Sequence, residues 1–180
     1  MLHWQGIYVI WLRELIRFFR EKLRIVTSLI QPVVWLFIVG RGMGSNFSPM
    51  GLDYAEFMFP GVVGMTVLFT SIFSAVSIVW DREFGFLKEI MVGPVSRTSI
   101  VVGKALSGST TSVLQGTLVL MLAPFVNVDL TVSSFVSALL VMFLISFSLS
   151  SFGILIASRM ETMQGFQLIM NFLVMPMFFF

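Results

Sequence analysis

The sequence contains no cysteine, so neither a disulfide framework nor a thiolate metal site is open to it. It holds one histidine, His3, near the N-terminus, where a solvated side chain is the ordinary condition. With so few nitrogen and sulfur donors, metal catalysis has almost nothing to work with. Charge is scarce as well. Lys, Arg, Asp and Glu make up 11% of the 180 residues, against about 25% in an ordinary soluble domain, too few to cover a water-facing surface. A formal net charge of +2 is too small to point to nucleic acid. What is abundant is apolar: 57% of the residues are hydrophobic, including 20 Phe and 13 Met. That balance describes an integral membrane protein.

Charged residues divide the chain into five apolar runs, at 25–40, 57–80, 105–128, 130–158 and 162–180. A spanning helix needs about 20 mostly apolar residues, within a range of roughly 17 to 25. Spans are therefore predicted near 25–43, 57–80, 99–124, 132–157 and 163–180. The first extends past Arg41, whose long stem can carry its charge to the headgroups. Barrel strands are excluded because the runs are continuous rather than alternating. The expected fold is an all-α polytopic membrane protein: an interfacial amphipathic helix over 1–24, then a transmembrane domain over 25–180. The last run is still apolar at Phe180, with no basic flank or polar cap behind it. The fifth span is accordingly expected to be cut short, and the sequence to be part of a longer one.

Basic residues set the expected orientation. With the N-terminus in the cytoplasm, Arg13, Arg17, Arg20, Lys22, Arg24, Arg82, Lys88, Arg97, Lys104 and Arg159 all fall inside, and only Arg41 falls outside. The reverse topology violates the positive-inside tendency at nearly every loop. The N-terminal segment has no short apolar region followed by a small-residue cleavage site, and so is not a signal peptide. Arg13, Arg17, Arg20 and Arg24 instead recur on one helical face, with Trp4, Tyr8, Trp11, Leu15 and Phe18 opposite. Such a helix lies in the membrane interface. It serves as an anchor or, on a sharper view, as a shoulder for a cytoplasmic partner.

The segment 81–97, DREFGFLKEIMVGPVSR, stands apart from everything around it. Trp80 closes the second span at the depth where aromatics are favoured. Asp81, Arg82, Glu83, Lys88 and Glu89 follow, and none has an opposite charge three or four residues away to pair with on a helix. These charges are expected to be free for water or a partner. Gly93-Pro94 stops the helix, and Ser96 or Thr98 can cap the next one. A solvated loop that only sets topology is the alternative.

This segment, followed by Val-Gly-Lys at 102–104, resembles the cytoplasmic loop of type-2 ABC exporter permeases, among them drug, nodulation-factor and polysaccharide exporters. An amphipathic N-terminal helix, Pro32 in the first span, and Asn171 with Pro176 in the fifth fit the same pattern. The resemblance implies a permease subunit of an ATP-driven exporter in the prokaryotic cytoplasmic (inner) membrane, paired with a second permease copy. It also implies that loop 81–98 carries a coupling helix seated on a separate ATPase subunit, which would hold the ATP and Mg. Asp81, Arg82, Glu83, Gly85, Lys88 and Glu89 are then the contacts, with Pro94, Ser96 and Arg97 fixing the return into the third span. No cofactor is expected on this chain. Gly103-Lys104 is followed by Ala105 and has no glycine five residues before it, so the GxxxxGK[ST] phosphate loop is absent.

Polar residues inside the spans are read first as packing, because small residues let membrane helices approach closely. Thr70, Ser74 and Ser77 share a face of the second span; Gln164, Gln167 and Asn171 share one of the fifth. Thr70, Ser74 and Ser77 are, on the sharper reading, part of a substrate path for a hydrophobic or amphipathic molecule; intramembrane amides ordinarily face helices or a cavity, so Gln164, Gln167 and Asn171 are the foremost candidates for it. No acid or base is expected mid-span, which argues against a proton-coupled carrier. A membrane-embedded enzyme would have only Asp81, Glu83 and Glu89 to work with, and no histidine beside them. An anchoring or assembly subunit would keep the same helices without affecting ATP turnover.

Overall fold

The computed structural model describes residues 4–40, 42, 53–85 and 95–179, and among these the regular structure is entirely helical. Helix α1 (Trp4–Arg20) is followed by α2 (Lys22–Val34), which contains Pro32 and widens into a π-helical segment at Trp35–Val39. Proline removes one amide donor from the ladder, and the change of register beside it is a common way for a helix to absorb that loss. Helices α3 (Tyr54–Ser74) and α4 (Val76–Glu83) join at Ala75, where Ala75 N donates to Ile72 O at 3.2 Å. Helix α5 (Arg97–Leu120) leads through a 3-10 turn (Ala123–Val126) into α6 (Val132–Ala157), and α7 (Met163–Phe179) follows. The turn closes on Asn127, whose φ of 56° lies in the left-handed region that asparagine tolerates.

Among the described residues, two helices, Tyr54–Glu83 and Val132–Ala157, are long and apolar enough by themselves to cross a membrane. A third span arises only if the pair Trp4–Arg20 and Ile25–Val39, bent by 68°, is counted as one. Helix α5 has 24 residues, about 36 Å at 1.5 Å per residue, yet its serines, threonines and glycines keep it from that apolar class. It is nonetheless the most central helix, packing against α1, α2, α3 and α6. Its hydroxyls do not oppose burial. Ser109, Thr110, Ser112 and Thr117 each donate to the carbonyl four residues back, at 2.7–2.8 Å. Ser107 and Thr111 bond three residues back at 3.0 Å. A hydroxyl that has spent its proton on its own helix adds little desolvation penalty.

Small side chains bring α3, α5 and α6 together. A Cβ on Gly108 would fall 2.7 Å from Ser150 Oγ and closer still to Ser74 Oγ. Ser150 Oγ donates across to Ser71 O at 3.1 Å. This polar layer separates two apolar clusters. One gathers Phe59, Val62 and Val67 with Val119, Leu120 and Met142; the other gathers Ile72, Val79 and Ile154 with Phe166, Met170 and Val174. Lipid competes for apolar surface as well as protein does, so close packing and cross-helix hydrogen bonds hold such helices together.

The N-terminal helix differs from the expectation of a helix with only a basic and an aromatic face. Gly6, Ile7 and Ile10 form a further, buried face where α1 packs on α5; on the aromatic face Leu15 is buried too, while Trp4 and Tyr8 are exposed. Gly103 permits this approach: a Cβ there would lie 3.0 Å from both Ile7 O and Ile10 Cβ. Trp11 Nε1 also donates to Thr110 Oγ1 at 3.1 Å.

Candidate functional site at the root of the charged loop

The charges at the start of the loop are not left free. Asp81, the third-last residue of α4, is 5% exposed and accepts from Lys104 Nζ at 2.6 Å and from Arg13 Nη2 at 3.2 Å. Lys104 is itself 3% exposed, two turns into α5; it also reaches Glu14 Oε1 at 3.2 Å and Ser77 Oγ at 3.0 Å. Arg13 closes the set by donating to Glu14 Oε1 at 2.8 Å. Two acids and two bases from α1, α4 and α5 thus neutralise one another. Local spacing along 81–89 gave no hint of this because all the partners come from other helices.

The next two residues are also engaged. Arg82 Nη1 donates to the carbonyls of Ser158 at 2.9 Å and Met160 at 3.2 Å, the segment joining α6 to α7. Glu83 Oε2 accepts from Met163 N at 3.1 Å, at the N-terminus of α7, where unsatisfied amides and the helix dipole favour a carboxylate. Trp80 lies under the Arg17 guanidinium, 5.7 Å from its ring centroid. The expectation of free charges is therefore corrected at Asp81, Arg82 and Glu83. Gly85 takes φ +80°, a conformation that disfavours any side chain. Lys88, Glu89 and Pro94 lie outside the described residues. Past them, Ser96 caps α5, its Oγ accepting from Ser99 N at 3.2 Å, and Arg97 is the first helical residue.

Glu14 lies on α1, outside the two spanning helices. Burial acts to raise its pKa, but the Lys104 charge and then Arg13 outweigh it and hold the carboxyl below its ordinary 4.5. Burial likewise acts against the Arg13 cation, and the Glu14 and Asp81 carboxylates more than offset it, so its pKa is raised.

The candidate path residues divide into two sets. Thr70 donates to Gln115 Oε1, Ser74 donates to Ser71 O at 2.6 Å, and Ser77 serves Lys104. Thr70 and Ser74 line a cavity bounded by α2, α3 and α5. Gln164, Gln167 and Asn171 stand on the exposed side of α7, opposite its buried Phe166, Met170 and Val174, and do not join them. Sequence reasoning missed Glu14, Lys104 as a buried residue, and Gln115. A signal existed for the first: Glu14 is the sole acid among the first 20 residues, four positions after Ile10 and so on the side of the helix that carries Ile7 and Ile10 rather than the arginines.

The family described as ABC-2 type transporter matches residues 5–180. Over 163 residues the chain is 28% identical to a Cyanophora paradoxa protein named as a transport permease, ycf38, covering 88% of this chain and 56% of that one. It is 28% identical over 182 residues to the inner membrane transport permease YadH of Escherichia coli strain K12, covering 98% and 70% respectively. A third relative from the same strain, named as a multidrug ABC transporter permease, YbhR, is 29% identical over 120 residues, covering 66% of this chain and 33% of the relative. The chain thus spans between a third and 70% of the length of these relatives. No solved structure matches it.

Proposed function

As the chain belongs to the ABC-2 type transporter family, we propose that it acts as the membrane-spanning permease subunit of an ATP-driven exporter. It is integral to an inner membrane with its N-terminus on the cytoplasmic side, and its cargo is a hydrophobic or amphipathic molecule. A second permease copy completes the pathway, and ATP and Mg are handled by a separate ATPase subunit. Loop 81–98 is the coupling element, with Glu83, Gly85, Lys88 and Glu89 foremost among its contacts.

The observation that carries this reading is how the root of the loop is held. Force passes from a soluble motor to membrane helices only through a lever fixed to them. Asp81 is bonded to α1 and α5, Arg82 to the α6–α7 connection, and Glu83 to the start of α7. A displacement of the loop is thereby delivered to several helices at once rather than absorbed in a flexible tether. A loop whose charges served only to set topology would need no such bonding.

The test is ATPase activity of the reconstituted chain with a candidate ATPase subunit, comparing wild type with Glu83→Ala plus Lys88→Ala. The expected result is co-purification of the two chains and loss of association or of ATPase stimulation in the variant. If the wild-type chain neither binds the ATPase nor alters its turnover, and a chain extended to the relatives' length does not either, the exporter reading fails.

A further inference from the structure

Arg82 and Glu83 do more than steady the loop that follows them. The Arg82 guanidinium donates to Ser158 O and Met160 O, where α6 ends, and the Glu83 carboxylate accepts from Met163 N, where α7 begins. A cation thus meets the carbonyl end of one helix and an anion the amide end of the next, each the sign that the helix dipole favours. These two adjacent side chains hold the connection 158–162 against the root of loop 81–98, at the same end of the bundle.

That connection is fixed from within as well. Ser158 N, Arg159 N and Met160 N donate to Ile154 O, Ile156 O and Ala157 O at 2.9–3.1 Å. Thr162 caps α7, its Oγ1 accepting from Gly165 N at 3.2 Å and its carbonyl from Phe166 N at 3.1 Å. With its backbone bonded on both sides, the connection has little ordering entropy left to lose on binding. What it turns outward is Arg159 and Glu161. Both are exposed, and neither has a charged partner among the described residues. An anionic membrane surface attracts the first and repels the second, whereas a folded protein surface can match both signs at fixed positions.

We infer that the α6–α7 connection is a second docking element for the ATPase subunit, with Arg159 and Glu161 as its contact residues. The inference rests on the exporter reading, since it names a further part of the same partner's footprint. A subunit seated on both elements acts on α6 and α7 directly, in addition to the helices it reaches through Asp81.

Because the chain has no cysteine, a single one can be introduced and labelled without background. Arg159→Cys, Glu161→Cys and, as a control, Asp129→Cys at an exposed position between α5 and α6 would each carry a benzophenone maleimide. Each would be irradiated in membranes that also hold the candidate ATPase subunit. Positions 159 and 161 should cross-link to the ATPase and position 129 should not. In a second arm, Arg159→Glu with Glu161→Arg keeps the net charge and inverts the pattern. It should weaken co-purification of the ATPase about tenfold while leaving the thermal unfolding midpoint unchanged. Suppose the ATPase binds the wild-type chain and is lost on Glu83→Ala plus Lys88→Ala, yet neither cross-links to 159 and 161 nor responds to the inverted pair. The exporter reading then stands and the second docking element is overturned. Cross-links to lipid alone, or cross-links to the ATPase with binding untouched by the inversion, overturn it as well. A chain that binds no ATPase, even when extended to the relatives' length, takes both readings down together. The cross-links decide the matter even if the inverted pair does not fold.

Discussion

At the scale of single residues, the buried pair of Asp81 and Lys104 carries the strongest consequences. Removing one member of a buried ion pair strands the other, which costs roughly 3–5 kcal/mol. Lys104→Met should therefore lower the thermal unfolding midpoint in detergent more than any single change among the exposed basic residues of α1. Adding Asp81→Asn to it should recover part of the loss, because the stranded charge is gone; a double-mutant cycle measures the coupling. Glu14 gives a pH signature. Its folded-state pKa is depressed, so its contribution is present above the unfolded value and disappears as pH falls through the folded one. The midpoint should hold steady above pH 4.5 and drop below it. Glu14→Gln should be less stable at neutral pH and show a shallower acid decline.

At the scale of elements, α5 depends on its cap and its glycines. Ser96→Ala removes the acceptor for Ser99 N and should cost about 1 kcal/mol, whereas Thr98→Ala, one residue inside the helix, should cost little. Calorimetric or fluorescence melting separates the two. Gly103→Val places atoms against Ile7 O and Ile10, and overpacking of this kind typically costs about 1–3 kcal/mol. The injury should be local: amide-exchange protection lost over 4–20 and retained over 132–157. Uniform loss across both segments would show that α1 is integral to the bundle rather than docked on it.

At the scale of the whole molecule, the ionic cluster at one end and the serine-glycine layer in the middle divide the work. The layer allows α3, α5 and α6 to pack closely, while the cluster and the bonds from Arg82 and Glu83 collect α1, α4, α5 and α7 at the root of one loop. If that root acts as a lever, Asp81→Asn should weaken the link between ATP turnover and transport more than it weakens binding of the ATPase subunit. Binding and stimulation, read on the same reconstituted sample, separate the two effects.

Composition by itself determined that this is an all-helical membrane protein, because a chain with 11% charged residues and continuous apolar runs has few other ways to satisfy its backbone. The cap of α5, narrowed to Ser96 or Thr98, was legible for a similar reason: caps are set by residues adjacent in sequence. The end of α4 at Glu83 was not, since the helix stop was expected at Gly93-Pro94. What only the tertiary structure decided is where the charges go. Asp81 finds Lys104 23 positions away and Arg13 68 positions away, and no periodicity in one helix encodes a partner on another. The same holds for the third face of α1, and for Gln115, whose amide spans α2 and α3. Helical period reveals which residues share a face. Which face meets which neighbour is settled by steric fit, here by the places where glycine and serine let backbones approach.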